Sequence, residues 1–153
     1  MANEHTDGPV DDGSIDLMER WCKRLTHMYA EGASALPDFL ALYDEAVHFQ
    51  DPLQTIDGLE AYGEMNRRSL EKARLIQVEV GDRIARDGVL FVAWTMRFSP
   101  RLGPTMSFSG VSHLRARGGK IVAHRDYFDV VSGAVSAVPG LSGVYHFFTS
   151  KLF

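Results

Sequence analysis

The chain has 153 residues and a net charge of −4 at pH 7, and 45% of its residues are hydrophobic. This length fits one domain with a core of its own. The acidic balance argues against nucleic acid or an anionic membrane as a partner, because either would need a basic surface. The single cysteine, Cys22, excludes an internal disulfide and a metal site built from several cysteines. Because Cys22 lies in an apolar helical pattern, we expect this residue to pack in the core.

The N-terminal sequence contains acids and glycines where a signal peptide would need a basic patch and an apolar run. No stretch approaches the roughly 18 apolar residues of a membrane span. We therefore expect a soluble, cytoplasmic protein. We expect residues 1–13 to form a disordered tail, residues 14–130 to form the domain, and residues 131–153 to form a C-terminal helical extension.

The first half of the chain predicts three helices. The first begins at Ser14 as N-cap and ends near Gly32, and the second begins at about Leu36. The third begins near Asp57, and Glu60 follows three residues later, a spacing that is typical of a capping box. Apolar residues recur at steps of three and four along the first helix: Leu17, Met18, Trp21, Leu25, Met28 and Tyr29.

The second half changes to a period of two, which predicts strands. A short strand at 47–51 ends before Pro52, and four longer strands follow at 76–85, 89–98, 106–115 and 120–130. Helices followed by a run of antiparallel strands predict an α+β fold. The last residues return to helical spacing, which favours a helix packed on its own domain, with a lid or an exchanged dimer arm as alternatives.

The sequence GKIVAHRDYFDV, residues 119–130, carries the most chemistry of any strand. Alternate side chains of a strand share a face, so His124, Asp126 and Phe128 point one way and Arg125 and Tyr127 the other. The first face offers an imidazole and a carboxylate beside aromatic surface. This pattern favours the wall of a pocket.

Two segments resemble the nuclear transport factor 2-like superfamily, which includes SnoaL-like and ketosteroid isomerase-like proteins. They are ALYDEAVHFQDPLQTIDGLEAY and VAWTMRFSPRLGPTMSFSGVSHLRARGGKIVAHRDYFDV. The resemblance covers roughly residues 14–130 and implies a bent antiparallel sheet wrapped on the N-terminal helices. It also implies a cone-shaped apolar cavity, commonly in a homodimer.

Similarity to ketosteroid isomerase implies that Asp51, in the sequence FQDP, is a general base. The acid of the oxyanion hole would fall at Gly110, and its tyrosine would fall between His27 and Tyr29. The missing acid argues against steroid isomerisation by that mechanism.

Similarity to limonene epoxide hydrolase implies that Asp126 is its catalytic aspartate. Its Arg and Asp pair would fall on Ala93 and Thr95, and its water-holding Tyr and Asn on Phe49 and Asp51. Most of the required donors and charges are absent at these positions, so that mechanism is not expected.

Together, alternation and resemblance predict the residues that line the cavity. The predicted set is Tyr29, Phe49, Asp51, Ala93, Thr95, Phe108, Gly110, Ser112, His124, Asp126 and Phe128. The residues predicted to face away are His48, His113, Trp94, Met96 and Phe98.

Each candidate also has a structural interpretation. Asp51 can cap its own turn before Pro52, and Asp126 can pair with His124 as a buried hydrogen-bonded group. Our leading hypothesis is a cofactor-independent protein in which Asp51 and Asp126 share proton transfers on an apolar small molecule and His124 orients them. A non-catalytic binder of such a molecule and a dimeric interaction domain remain alternatives. No spacing signature indicates a metal site.

Overall fold

The computed structural model describes residues 13–130. Its helices are α1 (Ser14–Glu31), α2 (Leu36–Leu40) and α3 (Leu59–Lys72), with a 3-10 turn (Gly32–Ala35) between the first two. Its strands are β1 (Tyr43–Gln50), β2 (Thr55–Asp57), β3 (Ala73–Arg86), β4 (Val89–Pro100), β5 (Met106–Arg117) and β6 (Lys120–Phe128). The expected N-terminal tail, apart from Gly13, and the expected C-terminal extension lie outside the described residues.

The six strands form one sheet in the order β2-β1-β6-β5-β4-β3. Strands β3 to β6 are antiparallel neighbours, as expected from the tight turns between them. Strand β1 pairs in parallel with β6, so the sheet is mixed where the sequence predicted an antiparallel one. The predicted α+β fold, with helices packed against a bent sheet, is confirmed.

The core lies between α1 and the inner face of the sheet. Leu17, Trp21 and Met28 of α1 are almost completely buried, as are Val92 and Leu114 of the sheet. Residues three and four apart share a helix face, so one side of α1 covers the strands along its length. Cys22 belongs to this core as a free thiol, and burial raises its pKa to about 11. Its role is packing, as expected.

Both predicted helix caps were wrong. The N-cap position of α1 is Gly13, while Ser14 is the first helical residue and its Oγ accepts a hydrogen bond from the backbone N–H of Gly88 at 2.9 Å. The N-cap position of α3 is Gly58, because Asp57 belongs to β2. A competing tertiary hydrogen bond and a short strand therefore displaced the local capping pattern in each case.

The inner face of β4 differs from the prediction by one residue. Trp94 pairs with Gly110 and Met96 with Phe108, and residues paired across two strands share a face. Trp94, which we expected to face away, is therefore inside and only 7% exposed. Its neighbours Ala93 and Thr95 point to the outer face, because a shift of one residue turns every side chain of a strand over.

Gly110 allows the Trp94 indole to lie close to the backbone of β5. A Cβ added at Gly110 would lie 2.6 Å from two indole carbons and 2.6 Å from the backbone oxygen of Tyr127. Real Cβ atoms do not come this close to other heavy atoms. The indole therefore fills the place in the cavity that a side chain at position 110 would take.

We expect Gly110→Ala to lower the free energy of unfolding by about 1–3 kcal/mol, because the added methyl group displaces the indole or the backbone. Gly81→Ala is the matched control, since a Cβ there meets its nearest atom at an ordinary 3.6 Å. Urea unfolding followed by circular dichroism measures both. Equal stability of the two variants would contradict the close contact.

Candidate functional site

A cavity of about 380 Å³ lies between the inner face of the sheet and helices α1 and α3. Aromatic and aliphatic side chains form most of its surface. Its polar residues are few: Asp51, Gln54, Asn66, Ser69, Ser112, His124 and Asp126.

Asp126 is held in the cavity by its neighbours in the sheet. Ser112 lies directly opposite on β5 and donates a hydrogen bond of 2.5 Å to Asp126 Oδ1. Trp94 Nε1–H in turn donates to Ser112 Oγ at 2.9 Å. His124 Nε2 lies 2.8 Å from the same Asp126 oxygen. The carboxylate is thus positioned through one oxygen, and its side chain stays 20% exposed.

The other nitrogen of His124 faces two buried tyrosines. Nδ1 lies 3.0 Å from Tyr43 Oη and 3.1 Å from Tyr62 Oη. Trp21 Nε1–H donates to Tyr43 Oη at 2.7 Å, and Tyr62 Oη lies 3.4 Å from Tyr43 Oη. We call these hydrogen-bonded side chains the His124 network: Trp21, Tyr43, Tyr62, His124, Asp126, Ser112 and Trp94.

The hydrogen bonds of this network fit a neutral imidazole. With the proton on Nε2, His124 donates to Asp126 and accepts at Nδ1, so the hydroxyl hydrogens of Tyr43 and Tyr62 both have acceptors. A protonated His124 would leave one of those hydrogens without an acceptor among the described residues. The geometry therefore fits the neutral Nε2–H tautomer, and among the described residues no Lys or Arg lines the cavity beside Asp126.

The tyrosines of the site remain protonated over a wide pH range. Burial raises the pKa of Tyr43, of Tyr62 and of Tyr29 above the ordinary value, and the negative charge of Asp126 raises each of them further. Each hydroxyl can therefore act as a hydrogen-bond donor.

Among the polar atoms of the site that have no hydrogen-bond partner within residues 13–130, two stand out for their chemistry. They are Asp126 Oδ2 and Tyr29 Oη, which belong to residues that line the cavity. One is an acceptor that carries charge and the other is a donor. The cavity therefore contains a carboxylate oxygen and a hydroxyl that are available to a bound molecule.

Asp51 also lines the cavity, but its carboxylate is occupied by its own turn. Oδ1 accepts hydrogen bonds from the backbone N–H groups of Leu53 at 2.7 Å and Gln54 at 2.9 Å. Oδ2 accepts from Gln54 Nε2 at 3.2 Å. This is the turn-capping geometry given above as the structural interpretation of Asp51.

Most of the predicted lining residues lie around the cavity. These are Tyr29, Phe49, Asp51, Phe108, Ser112, His124, Asp126 and Phe128. Thr95 does not, because it is on the outer face, and Gly110 does not, because Trp94 covers it.

Sequence reasoning missed the partners of His124. Tyr62 and Trp21 were expected only on apolar helix faces. Tyr43 was expected on the buried face of the second helix, but that helix ends at Leu40 and Tyr43 begins β1. Their buried polar atoms were the available signal, because a buried tyrosine hydroxyl or indole N–H needs a hydrogen-bond partner. The sequence offered no way to identify that partner as His124, which is 81 residues from Tyr43.

Residues 13–130 contain no group of three His, Cys, Asp or Glu side chains that could hold a metal ion. Within the same range, no helix combines the length and the apolar character needed to cross a membrane.

The α+β fold with a cavity between helices and bent sheet defines a nuclear transport factor 2-like protein. Within that class, the chain belongs to the SnoaL-like domain family, whose model matches residues 23–124. The resemblance inferred from the sequence is thereby confirmed.

Several solved structures are similar to the chain in fold. An NTF2-like protein from Anabaena variabilis has 18% identity and a TM-score of 0.72, with 84% of this chain and 98% of that chain covered. A LEH-like epoxide hydrolase from M. tuberculosis has 16% identity and a TM-score of 0.69, with 86% and 96% covered. AclR, a putative hydroxylase from Streptomyces galilaeus, has 14% identity and a TM-score of 0.65, with 80% and 96% covered. No curated protein matches the chain.

The two tyrosines that face His124 should differ in their effect on stability. In Tyr62→Phe, Tyr43 can still donate to His124 Nδ1 and accept from Trp21. We therefore expect the free energy of unfolding to fall by less than about 1 kcal/mol. Tyr43→Phe leaves the buried N–H of Trp21 without an acceptor, so we expect the free energy of unfolding to fall by about 1–3 kcal/mol. Urea unfolding of both variants measures the difference. A larger loss for Tyr62→Phe would contradict the assigned direction of these hydrogen bonds.

Proposed function

We propose that this protein binds an apolar small molecule in its cavity and that Asp126 accepts a proton from it. The reaction would be of the isomerase, cyclase or hydrolase type and would need no cofactor. The observation that supports this proposal is Asp126 Oδ2, a carboxylate oxygen without a partner among the described residues, in a cavity with mostly apolar walls. A base that lies in the wall of an apolar cavity can be held against the reacting atom of an apolar molecule.

Four side chains have distinct roles in this proposal. Asp126 is the base, and Ser112 and His124 are positioning residues that hold its other oxygen. Tyr29 is the hydrogen-bond donor for the part of the substrate that gains electron density. Asp51 is assigned to its turn, so we no longer propose that it shares the proton transfers.

Non-catalytic binding of an apolar molecule is the second candidate. Among the described residues, no Lys or Arg lines the cavity, so a developing negative charge would meet only neutral donors, such as the Tyr29 hydroxyl and the amides of Gln54 and Asn66. Enzymes that form anionic intermediates commonly provide stronger stabilisation than this. This observation favours a binder if the ligand is a neutral molecule.

The probe 5-nitro-1,2-benzisoxazole distinguishes the two candidates, because it is an apolar carbon acid that opens to a coloured phenolate when a base removes its C3 proton. We expect the wild-type protein to catalyse this opening. We expect Asp126→Asn to lower the rate at least about 100-fold, because general base catalysis contributes this much or more. Absorbance in the visible range measures the rate.

Asp51→Asn is the matched control, since its amide oxygen can still accept the two backbone hydrogen bonds. We expect its rate to stay within about threefold of the wild type, because it keeps the base. Binding of the probe without ring opening would support the binder. An equal loss in both variants would contradict the assignment of the base to Asp126.

We also propose that the protein is a homodimer that associates through the outer face of the sheet. Ile84, Phe91 and Tyr127 of this face are 66%, 40% and 46% exposed. Phe91 stacks on His113 with ring centroids 4.4 Å apart, and burial and nearby arginines lower the pKa of His113. This aromatic surface, which is flanked by Arg115 and Arg125, supports a twofold interface, in which the same patch meets itself.

Phe91→Lys should dissociate the dimer, because it would bring two like charges into an apolar interface. Leu102→Lys is the control, since Leu102 is 92% exposed in the loop between β4 and β5. Sedimentation velocity of the wild type and both variants measures the state of association. A monomeric wild type at micromolar concentration would overturn this proposal.

A further inference from the structure

We infer that the ligand of the cavity is an apolar organic cation, with its charged head beside Asp126 and its body among the aromatic side chains. Protonated amines and quaternary ammonium compounds belong to this class. The inference rests on the proposed function, because it concerns the same cavity and the same carboxylate.

The charge of the cavity supports a cationic ligand. Among the described residues, no Lys or Arg lines it, whereas Asp126 does, and so does Asp51, whose carboxylate is held by its own turn. The nearest basic residue along the strand, Arg125, points to the outer face, where its guanidinium lies 4.8 Å from the ring centre of Tyr127. The assigned neutral His124 does not balance Asp126 either. A carboxylate of low exposure without a positive partner is costly, and a cationic ligand would lower that cost.

The aromatic walls support the same class of ligand. Trp94 is hydrogen-bonded to Ser112, which binds Asp126, so an indole lies next to the carboxylate. Phe128 is two residues from Asp126 on the same strand face, and its ring centre lies 6.0 Å from that of Trp94. Ring faces attract cations, most strongly those of tryptophan, and the attraction grows when the cation is removed from water.

Proton transfer to Asp126 is also easier from a cation. A proton that moves from a cationic acid to Oδ2 leaves its bonding electron pair on the ligand, so both partners become neutral. The same transfer from a neutral acid leaves an anion, and the donors described in the cavity, such as the Tyr29 hydroxyl and the Gln54 amide, are neutral groups. A medium of low dielectric constant favours the transfer that cancels charge. The cationic ligand thus agrees with a cavity whose described lining has a base and no Lys or Arg.

Benzyltrimethylammonium and its uncharged isostere (2,2-dimethylpropyl)benzene test the inference, because they share shape and differ by one charge. Quenching of the fluorescence of Trp21 and Trp94, which both line the cavity, reports binding of each. We expect the wild type to bind the cation about ten- to thirtyfold more tightly, as a desolvated cation on aromatic faces beside a carboxylate would. The anion 3-phenylpropionate should bind more weakly than either.

Asp126→Asn should remove the preference for the cation and leave the affinity for the uncharged isostere within about twofold, because it deletes the charge and keeps the shape. Asp51→Asn is the control and should keep most of the preference. If Asp126→Asn does not fold, the affinities of the wild type for the two isosteres still show whether the cavity prefers a cation.

Equal or tighter binding of the uncharged isostere to the wild type would overturn the cationic ligand and leave the proposed function standing. Failure of both isosteres to bind would overturn the proposed function together with this inference.

Discussion

The hydrogen bond between His124 and Asp126 is the interaction on which the site depends. His124 is 4% exposed and lies among aromatic side chains from α1, β1 and α3, where an unsatisfied ring nitrogen would be costly. Asp126 satisfies one nitrogen and the tyrosines satisfy the other. The same bond turns Asp126 so that one oxygen is held and the other is available to the cavity. A requirement of the core and the geometry of the site are therefore met by one contact.

The register of the sheet decides what else surrounds Asp126. Because Trp94 pairs with Gly110, the indole lies across a residue without a side chain and reaches Ser112 with its N–H. A larger residue at position 110 would push the indole away and remove the donor from Ser112. The absence of a side chain at Gly110, which looked like a missing catalytic group in the sequence, is what allows Trp94 to support Asp126 indirectly.

The sequence predicted the parts of the fold that depend on local patterns. The long helices α1 and α3 and the strands joined by tight turns follow from periods of 3.6 and two, and the face of β6 that carries His124 and Asp126 follows from alternation. The face of β4 could not be predicted in this way. Burial alternates along the folded strand, but the outer positions Phe91 and Ala93 are apolar as well, so the hydropathy of the first half of β4 has no clear alternation and the strand pairing decides.

Features that depend on distant parts of the chain were also beyond sequence reasoning. The parallel pairing of β1 with β6 joins residues about 75 positions apart, as in the pair of Phe49 with His124. Ser14 would cap a helix by local rules, and instead it binds the turn at Gly88. Asp51 was correctly recognised as a possible turn former. Its catalytic interpretation came only from the resemblance, and the geometry of the turn gives both of its oxygens another use.

Comparison of this site with the mechanism of limonene epoxide hydrolase separates a shared fold from a shared reaction. That resemblance would require an Arg and Asp pair on the strand corresponding to β4. The inner face of β4 carries only apolar side chains at Val92, Trp94, Met96 and Phe98, so no such pair is present there. Asp126 is at the position of the catalytic aspartate in that resemblance, but the Arg and Asp of the pair are absent from the inner face of β4. Among the described residues no Lys or Arg lines the cavity beside Asp126, and the positive partner that we propose for this carboxylate is the ligand.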